Sequence, residues 1–270
     1  MYSLLQMPQM NHEEQMQFFY EIFDPSLPRF GPGDSASTRK ALDMALSAAP
    51  ETGDASGPVR FRVLDIGCGN GAQTIELARQ LAADITAVDN HQPFLDELRL
   101  RAEAASVSRK ITTLQRDMRA LGMEGETFDL IWSEGALYSM GFQEGLKACY
   151  DLLAPGGILA VSELCWLRPD PPAECQRFFA AEYPAITGID QNLEFMKACG
   201  YKVIGHFSLP SSSWLQEYYL PLEESIGSLR ERYTFDAEKT GMLQSLQAEI
   251  AIYRKYHDYY GYVFYVMARP

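Results

Sequence analysis

No run of about 18 apolar residues occurs in the chain, so the sequence offers no membrane-spanning helix. Histidine is scarce: His12, His91, His206 and His257 lie far apart and form no ligand motif, so no metal site is expected. The five cysteines, Cys68, Cys149, Cys165, Cys175 and Cys199, contain no C-x-x-C pair. The first turns carry Glu13, Glu14 and Glu21 in place of a basic leader. An odd, scattered cysteine set without a secretory signal is expected of reduced thiols in a cytoplasmic protein. Basic residues are outnumbered, 23 Lys and Arg against 36 Asp and Glu, for a net charge of -13. That balance opposes loose binding to phosphate backbones, so nucleic acid is not an expected partner. Repeats and low-complexity segments are also missing.

What is present fits one large globular domain with an insertion: 270 residues, 47% hydrophobic and 22% charged. Its most informative stretch is Val63-Leu64-Asp65-Ile66-Gly67-Cys68-Gly69-Asn70-Gly71. An apolar strand ends in an acid and enters a glycine-rich turn. Ile75, Leu77, Ala78 and Leu81 then follow at helical spacing. Such a turn lets a backbone approach a nucleotide closely. Three spaced glycines cost chain entropy with no packing return visible in the sequence. Gly67-x-Gly69-x-x-Ala72 also satisfies the dinucleotide pattern, so glycine alone does not choose the cofactor. Asp65 favours one without a pyrophosphate. A carboxylate beside a pyrophosphate would repel it, whereas an ammonium group would be attracted.

Strand and helix alternate from there. Strands are expected at 62–66, 85–88, 111–115, 128–132 and 157–162, and helices at 72–81, 92–105 and 141–152. The pattern implies right-handed βαβ units in a mostly parallel sheet with helices on both faces. Before it, residues 1–57 read as an N-terminal helical segment, with helices at 14–22 and 38–48 and a polar linker at 51–58. Ser35 and Ser37 are the expected caps of the second helix. After it, helices at 173–181 and 189–198 precede a strand at 201–208. Segment 209–258 reads as a helical insertion, and 259–270 as a terminal strand completing the core of 58–208. The insertion is expected to cover the carboxyl edge of the sheet, where ligands bind in open α/β folds.

Two more acids end strands. Asp89, followed by Asn90, is placed to meet ribose hydroxyls. Asp117 and Met118 follow the third strand; the acid can accept an N–H and the thioether can face a ring. Asp117 equally suits a local turn. Glu134 and Tyr138 follow the fourth strand, where a reacting group should lie, and are the candidate catalytic residues. Leu153-Ala154-Pro155-Gly156-Gly157 reads as the turn between a helix and the fifth strand.

In order, VLDIGCGNG, AVD, RDM, FDLIWSE and LAPGGILAVSE resemble the motifs of class I S-adenosylmethionine (SAM)-dependent methyltransferases, of the UbiE-like small-molecule group. SEGALYSMGF, AEYP, SLPSSSW and KYHDYYGYVFYV extend the resemblance to a largely uncharacterised bacterial subgroup across nearly the whole chain. It implies a Rossmann-like fold with a seven-stranded sheet and SAM as cofactor, leaving as S-adenosylhomocysteine. It implies a donor site through Asp65, Gly67, Gly69, Gly71, Asp89, Asn90, Asp117, Met118 and Glu134. Asp65 would order the turn or meet the amino-acid end of SAM. No Asn/Asp-Pro-Pro-Tyr motif follows the fourth strand, which weighs against methylation of exocyclic base amines.

Methyl transfer needs a base only where the nucleophile must lose a proton. Candidates in falling order are Glu134, Glu163, Tyr138 and His206. Trp166, Tyr183, Trp214, Tyr218, Tyr219, Tyr259 and Tyr260 crowd the last third of the chain, and aromatics beside acids suit an amine. The expected acceptor is a small molecule, an amine or a thiol. Two other functions stay open: an NAD-dependent oxidoreductase and a SAM-binding protein without catalysis. The aromatic N-terminal helix is read as a lid or as a homodimer contact.

Overall fold

A computed structural model describes residues 10–48 and 61–270. The expected linker at 51–58 and the boundary at 57/58 lie outside the described residues. Helix α1 (His12–Ile22) opens on a reciprocal cap: Asn11 accepts from the Glu14 N–H, and Glu14 accepts from the Asn11 N–H. Helix α2 (Ser35–Ala48) starts earlier than expected. Its capping side chain is Asp34, which accepts from the Ser37 N–H at 2.7 Å, so neither Ser35 nor Ser37 is the cap.

The core then alternates as expected: β1 (Phe61–Ile66), α3 (Ala72–Gln80), β2 (Ala83–Asp89), α4 (Gln92–Ala104), β3 (Ile111–Gln115), β4 (Phe128–Glu134), α5 (Phe142–Leu152) and β5 (Leu153–Trp166). Helix α6 (Ala173–Glu182), a two-residue β6 (Thr187–Gly188), α7 (Ile189–Ala198) and β7 (Lys202–Ser208) follow. The insertion comprises α8 (Ser211–Trp214), a π-turn at Leu215–Tyr219, α9 (Leu220–Arg232) and α10 (Ala237–Tyr256). Strand β8 (Tyr260–Ala268) closes the chain.

Seven strands run in the order β3-β2-β1-β4-β5-β8-β7, and β6 pairs with the end of β5. The pairs among β1 to β5 are parallel; β8 is antiparallel to both neighbours. Alternate residues of β1 enter different cores. Val63 packs with Leu42, Leu77 and Leu98 on one face, and Leu64 with Leu146 and Met196 on the other. Chain direction through the sheet reverses between β1 and β4, and such a switch point leaves a crevice at the carboxyl ends.

Strand β5 is longer than expected and includes Pro155-Gly156-Gly157. The register with β4 shifts there, from Phe128↔Leu153 to Leu130↔Ile158. Proline offers no N–H to the ladder, so the segment that read as a turn is an irregularity inside a strand.

Helix α1 packs against the insertion. Phe18 of α1 meets Tyr233 edge-on, Tyr233 donates to Glu21, and Ser225 donates to the Ile22 carbonyl at 3.1 Å. Phe18, Ile22 and Phe23 are buried, each contributing roughly 1.5–3 kcal/mol. The described helices include none long and apolar enough to cross a membrane.

Candidate active site

A cavity of about 510 Å³ sits over the switch point, lined by the turn after β1, the ends of β2 and β4, and residues of the N-terminal segment. The turn is held from beneath: the N–H groups of Gly67 and Cys68 donate to the Val88 carbonyl at 2.9 and 3.0 Å. Gly67 lines the cavity with φ +71°, and a Cβ there would lie 2.4 Å from that of Ala136. Only glycine allows both the conformation and the approach. Gly69 also lines the cavity, and its N–H donates to Asp89 at 3.0 Å.

Gly71 does not reach the cavity. It caps α3 with φ +83°, and a Cβ there would lie 2.0 Å from Leu98 Cδ1. Its expected place in the donor site is therefore corrected to a packing role, and the missing packing return is Leu98. Asp65 is likewise off the cavity wall. It is wholly buried under the turn, accepting from Thr74 Oγ1 at 2.6 Å and from Gln73 Nε2 at 3.4 Å. Its bonds tie β1 to the first turns of α3, and it does not reach the cavity. Burial pushes its carboxyl up to about 7; the two hydrogen bonds oppose that rise, while Glu134 and Asp89 add to it.

Asp89 lines the cavity, accepting from the Gly69 and His91 N–H groups, each at 3.0 Å. Desolvation raises its pKa against those bonds. Asn90, Asp117 and Met118 are at the cavity as well. Asn90 and Asp117 are exposed on the rim, and Met118 is half-buried. Asp117 accepts from the Arg119 N–H at 2.9 Å, so it also makes the local turn.

Glu134 departs most from expectation. Its Oε2 pairs with Arg29 Nη1 at 2.9 Å. Its Oε1 accepts from Thr38 Oγ1 at 2.8 Å and Trp132 Nε1 at 3.0 Å. The paired side chains are 9% and 6% exposed. Three donors on two oxygens make Glu134 an anchor for the N-terminal segment rather than a free base. Arg29 was missed in the sequence, where it sits among prolines and glycines that read only as a break. It lines the cavity, and its Nη2 is buried without a partner. Around it, Tyr20 stacks on His91 at 3.4 Å and Phe30 on Phe94 at 4.0 Å, forming an aromatic wall.

A second cavity, about 70 Å³, adjoins the first; Tyr138 and Pro32 line both. Tyr138 is carried on a 3-10 turn, Leu137–Met140, and meets Tyr183 edge-on at 6.1 Å. Trp214 and Tyr218 share the wall, as their spacing implied, joined by Tyr219 and Tyr260. Tyr218 and Tyr219 belong to the π-turn, a distortion often found at functional sites. Trp166 and Tyr259 are not on this wall. Glu163 lies behind it: Tyr183 donates to its Oε1 at 2.8 Å, and burial pushes its carboxyl up to about 8. His206 is exposed on β7 and lines neither cavity, which removes it from the base candidates.

Known proteins match the same region. Residues 63–157 fit the family model described as a methyltransferase domain. Over 104 residues, 38% of this chain, the sequence is 34% identical to a malonyl-(acyl-carrier protein) O-methyltransferase of Salmonella typhimurium, covering 39% of that protein. Over 170 residues, 59% of this chain, it is 26% identical to sterol 24-C-methyltransferase of Saccharomyces cerevisiae, covering 44% of it. The chain thus spans less than half the length of these curated relatives. A SAM-dependent methyltransferase from Geobacter sulfurreducens, solved with S-adenosylhomocysteine, has the same fold: TM-score 0.76 at 21% identity, over 98% of this chain and 100% of that one. Residues 63–157 thus match a methyltransferase domain, and the chain has the Rossmann-like fold of that SAM-dependent methyltransferase.

Proposed function

From that domain, we infer that the chain is a SAM-dependent methyltransferase whose larger cavity holds the donor and whose second cavity admits a small acceptor. The observation that carries this reading is the pairing of the Gly67–Gly69 turn with Asp89 at a cavity that meets another at Tyr138. The residues present fit the donor. Each Asp89 oxygen keeps a lone pair beyond its backbone donor, as two ribose hydroxyls require. The unpartnered Arg29 Nη2 suits the carboxylate of the amino-acid end. Met118 and Asp117 suit a ring and its amino group. When bound, SAM supplies a methyl group made electrophilic by a positive sulfur.

The chain's own part is alignment and exclusion of water. Residues 10–48 act as a lid, held down by Glu134, and segment 209–258 covers the acceptor side. Glu134 is then a positioning residue, and Tyr138, at the junction of the cavities, is the residue nearest the transfer. An oxidoreductase reading loses ground to the domain match. The relatives named for a malonyl-(acyl-carrier protein) and for a sterol do not transfer their acceptors. The matched domain ends at residue 157, before every second-cavity residue except Pro32 and Tyr138.

The test is release of S-adenosylhomocysteine when the protein and SAM meet fractionated small-molecule extracts. Release that depends on one fraction supports the enzyme. Tight SAM binding with no release in any fraction supports the non-catalytic reading.

A further inference from the structure

We propose that the second cavity selects an amine that carries a hydroxyl or carbonyl oxygen and no acidic group. The proposal rests on the methyl-transfer reading above and narrows its acceptor.

Trp214, Tyr218 and Tyr260 line the cavity and are 4%, 3% and 1% exposed. Trp214 Nε1 and the hydroxyls of Tyr218 and Tyr260 have no hydrogen-bond partner. Among the described residues, two other buried side-chain polar atoms lack one: Glu163 Oε2, on the carboxyl that holds Tyr183, and Arg29 Nη2 at the first cavity. Four of these five atoms thus belong to residues that line the two cavities, and the fifth, on Glu163, lies behind the second. Buried polar groups are normally paired, so such a gathering marks where a ligand supplies the missing partners. An indole N–H can only donate, which requires an acceptor atom on the ligand.

Charge narrows the choice. Glu182 and Glu249 line the cavity, and Tyr219 donates to Glu249 at 3.1 Å. Among the described lining residues none is Lys, Arg or His. A phosphate or carboxylate would be buried there without a counter-charge and beside acids. A thiol fails for the same reason, because it reacts as the thiolate.

An amine does not fail. Its free-base lone pair forms the new N–C bond as the S–CH₃ bond breaks, and the breaking pair stays on sulfur as a thioether. The positive charge passes from sulfur to nitrogen, and no proton moves in that step. Aromatic faces and nearby carboxylates favour the ammonium as it forms. The arrangement also explains why a free base at Glu134 is dispensable. The second cavity, about 70 Å³ against about 510 Å³ for the first, is the tighter of the two, so the acceptor's reacting end is small.

The test is calorimetry on the full chain, first with S-adenosylhomocysteine and then, at saturation, with three probes of one shape. Dimethylaminoethanol, protonated at neutral pH, carries the charge that forms on nitrogen. Isoamyl alcohol replaces its nitrogen by carbon, and dimethylglycine replaces its alcohol by a carboxylate. Dimethylaminoethanol should bind about tenfold tighter than either. Tyr218→Phe and Trp214→Phe should each weaken it about threefold to tenfold while leaving S-adenosylhomocysteine affinity within about twofold. Equal or tighter binding of isoamyl alcohol or dimethylglycine overturns the proposal, as does unchanged amine affinity in both variants. Bound S-adenosylhomocysteine with no amine binding defeats this proposal alone. Absence of S-adenosylhomocysteine binding defeats the methyl-transfer reading, and this one with it.

Discussion

The two cavities share Tyr138 and Pro32 but are built in opposite ways. The larger sets the backbone turn at 67–69 and the strand-end residues Asp89, Asn90, Asp117 and Met118 against an aromatic wall that includes Tyr20, Phe30 and Phe94. The smaller is made of side chains brought from 32, 138, 164, the α6 region, α8, the π-turn, α10 and β8. One is a conformational site, in which glycine geometry and amide direction decide what fits. The other is a compositional site, in which the balance of rings, hydroxyls and charge decides. A donor common to many enzymes suits the first kind, and an acceptor peculiar to one suits the second.

The first way to break this contrast is at the turn. Gly71→Ala forces a left-handed alanine into Leu98 and should destabilise the protein by about 2–5 kcal/mol, read by denaturant unfolding. A loss under about 1 kcal/mol would mean that the turn is not conformationally locked. Arg29→Met comes next. It strands Glu134 in a buried site, at a cost near the low end of about 3–5 kcal/mol because Thr38 and Trp132 still donate. Hydrogen exchange in α1 and α2 should quicken more than in β4; uniform exchange would count against a lid anchored there.

Asp89→Asn should weaken S-adenosylhomocysteine about tenfold to a hundredfold, because bonds to a charged group are lost, and should cost about 1–3 kcal/mol in folding, because the new amide N–H₂ faces a backbone N–H that the carboxylate satisfied. Unchanged affinity in calorimetry would remove Asp89 from the donor site. A further break lies in pH. Asp65 and Glu163 titrate near 3.9 and 4.3 when unfolded, at about 7 and about 8 when folded. A raised carboxylate gives stability that is full below its unfolded value and lost as pH climbs through its folded value. Tm should therefore fall between roughly pH 4 and pH 8, and Glu163→Gln should flatten the upper part of that fall. An unaltered slope in the variant would mean that Glu163 does not carry the effect.

The same contrast explains what the sequence disclosed. Strand ends, the glycine turn and the alternation are local signals, so the mostly parallel sheet and the places of Gly67, Gly69, Asp89 and Met118 were readable. Glu134 was located but its role was not, because its guanidinium partner comes from 105 residues earlier. Gly71 looked like a ligand glycine until Leu98, on the next helix, supplied the reason for it. The aromatic residues near the C-terminus were recognised as a set, yet only contact in space separates Trp214, Tyr218 and Tyr260 from Trp166 and Tyr259. Pro155 read as a turn because the β5 register shift depends on β4.

The most direct test of the central claim is a calorimetric titration of the purified chain with SAM, S-adenosylhomocysteine and NADH. The account requires saturable one-to-one binding of the first two, lost together in Asp89→Ala, and no heat from the third. Binding of NADH with silence from SAM and S-adenosylhomocysteine would contradict it.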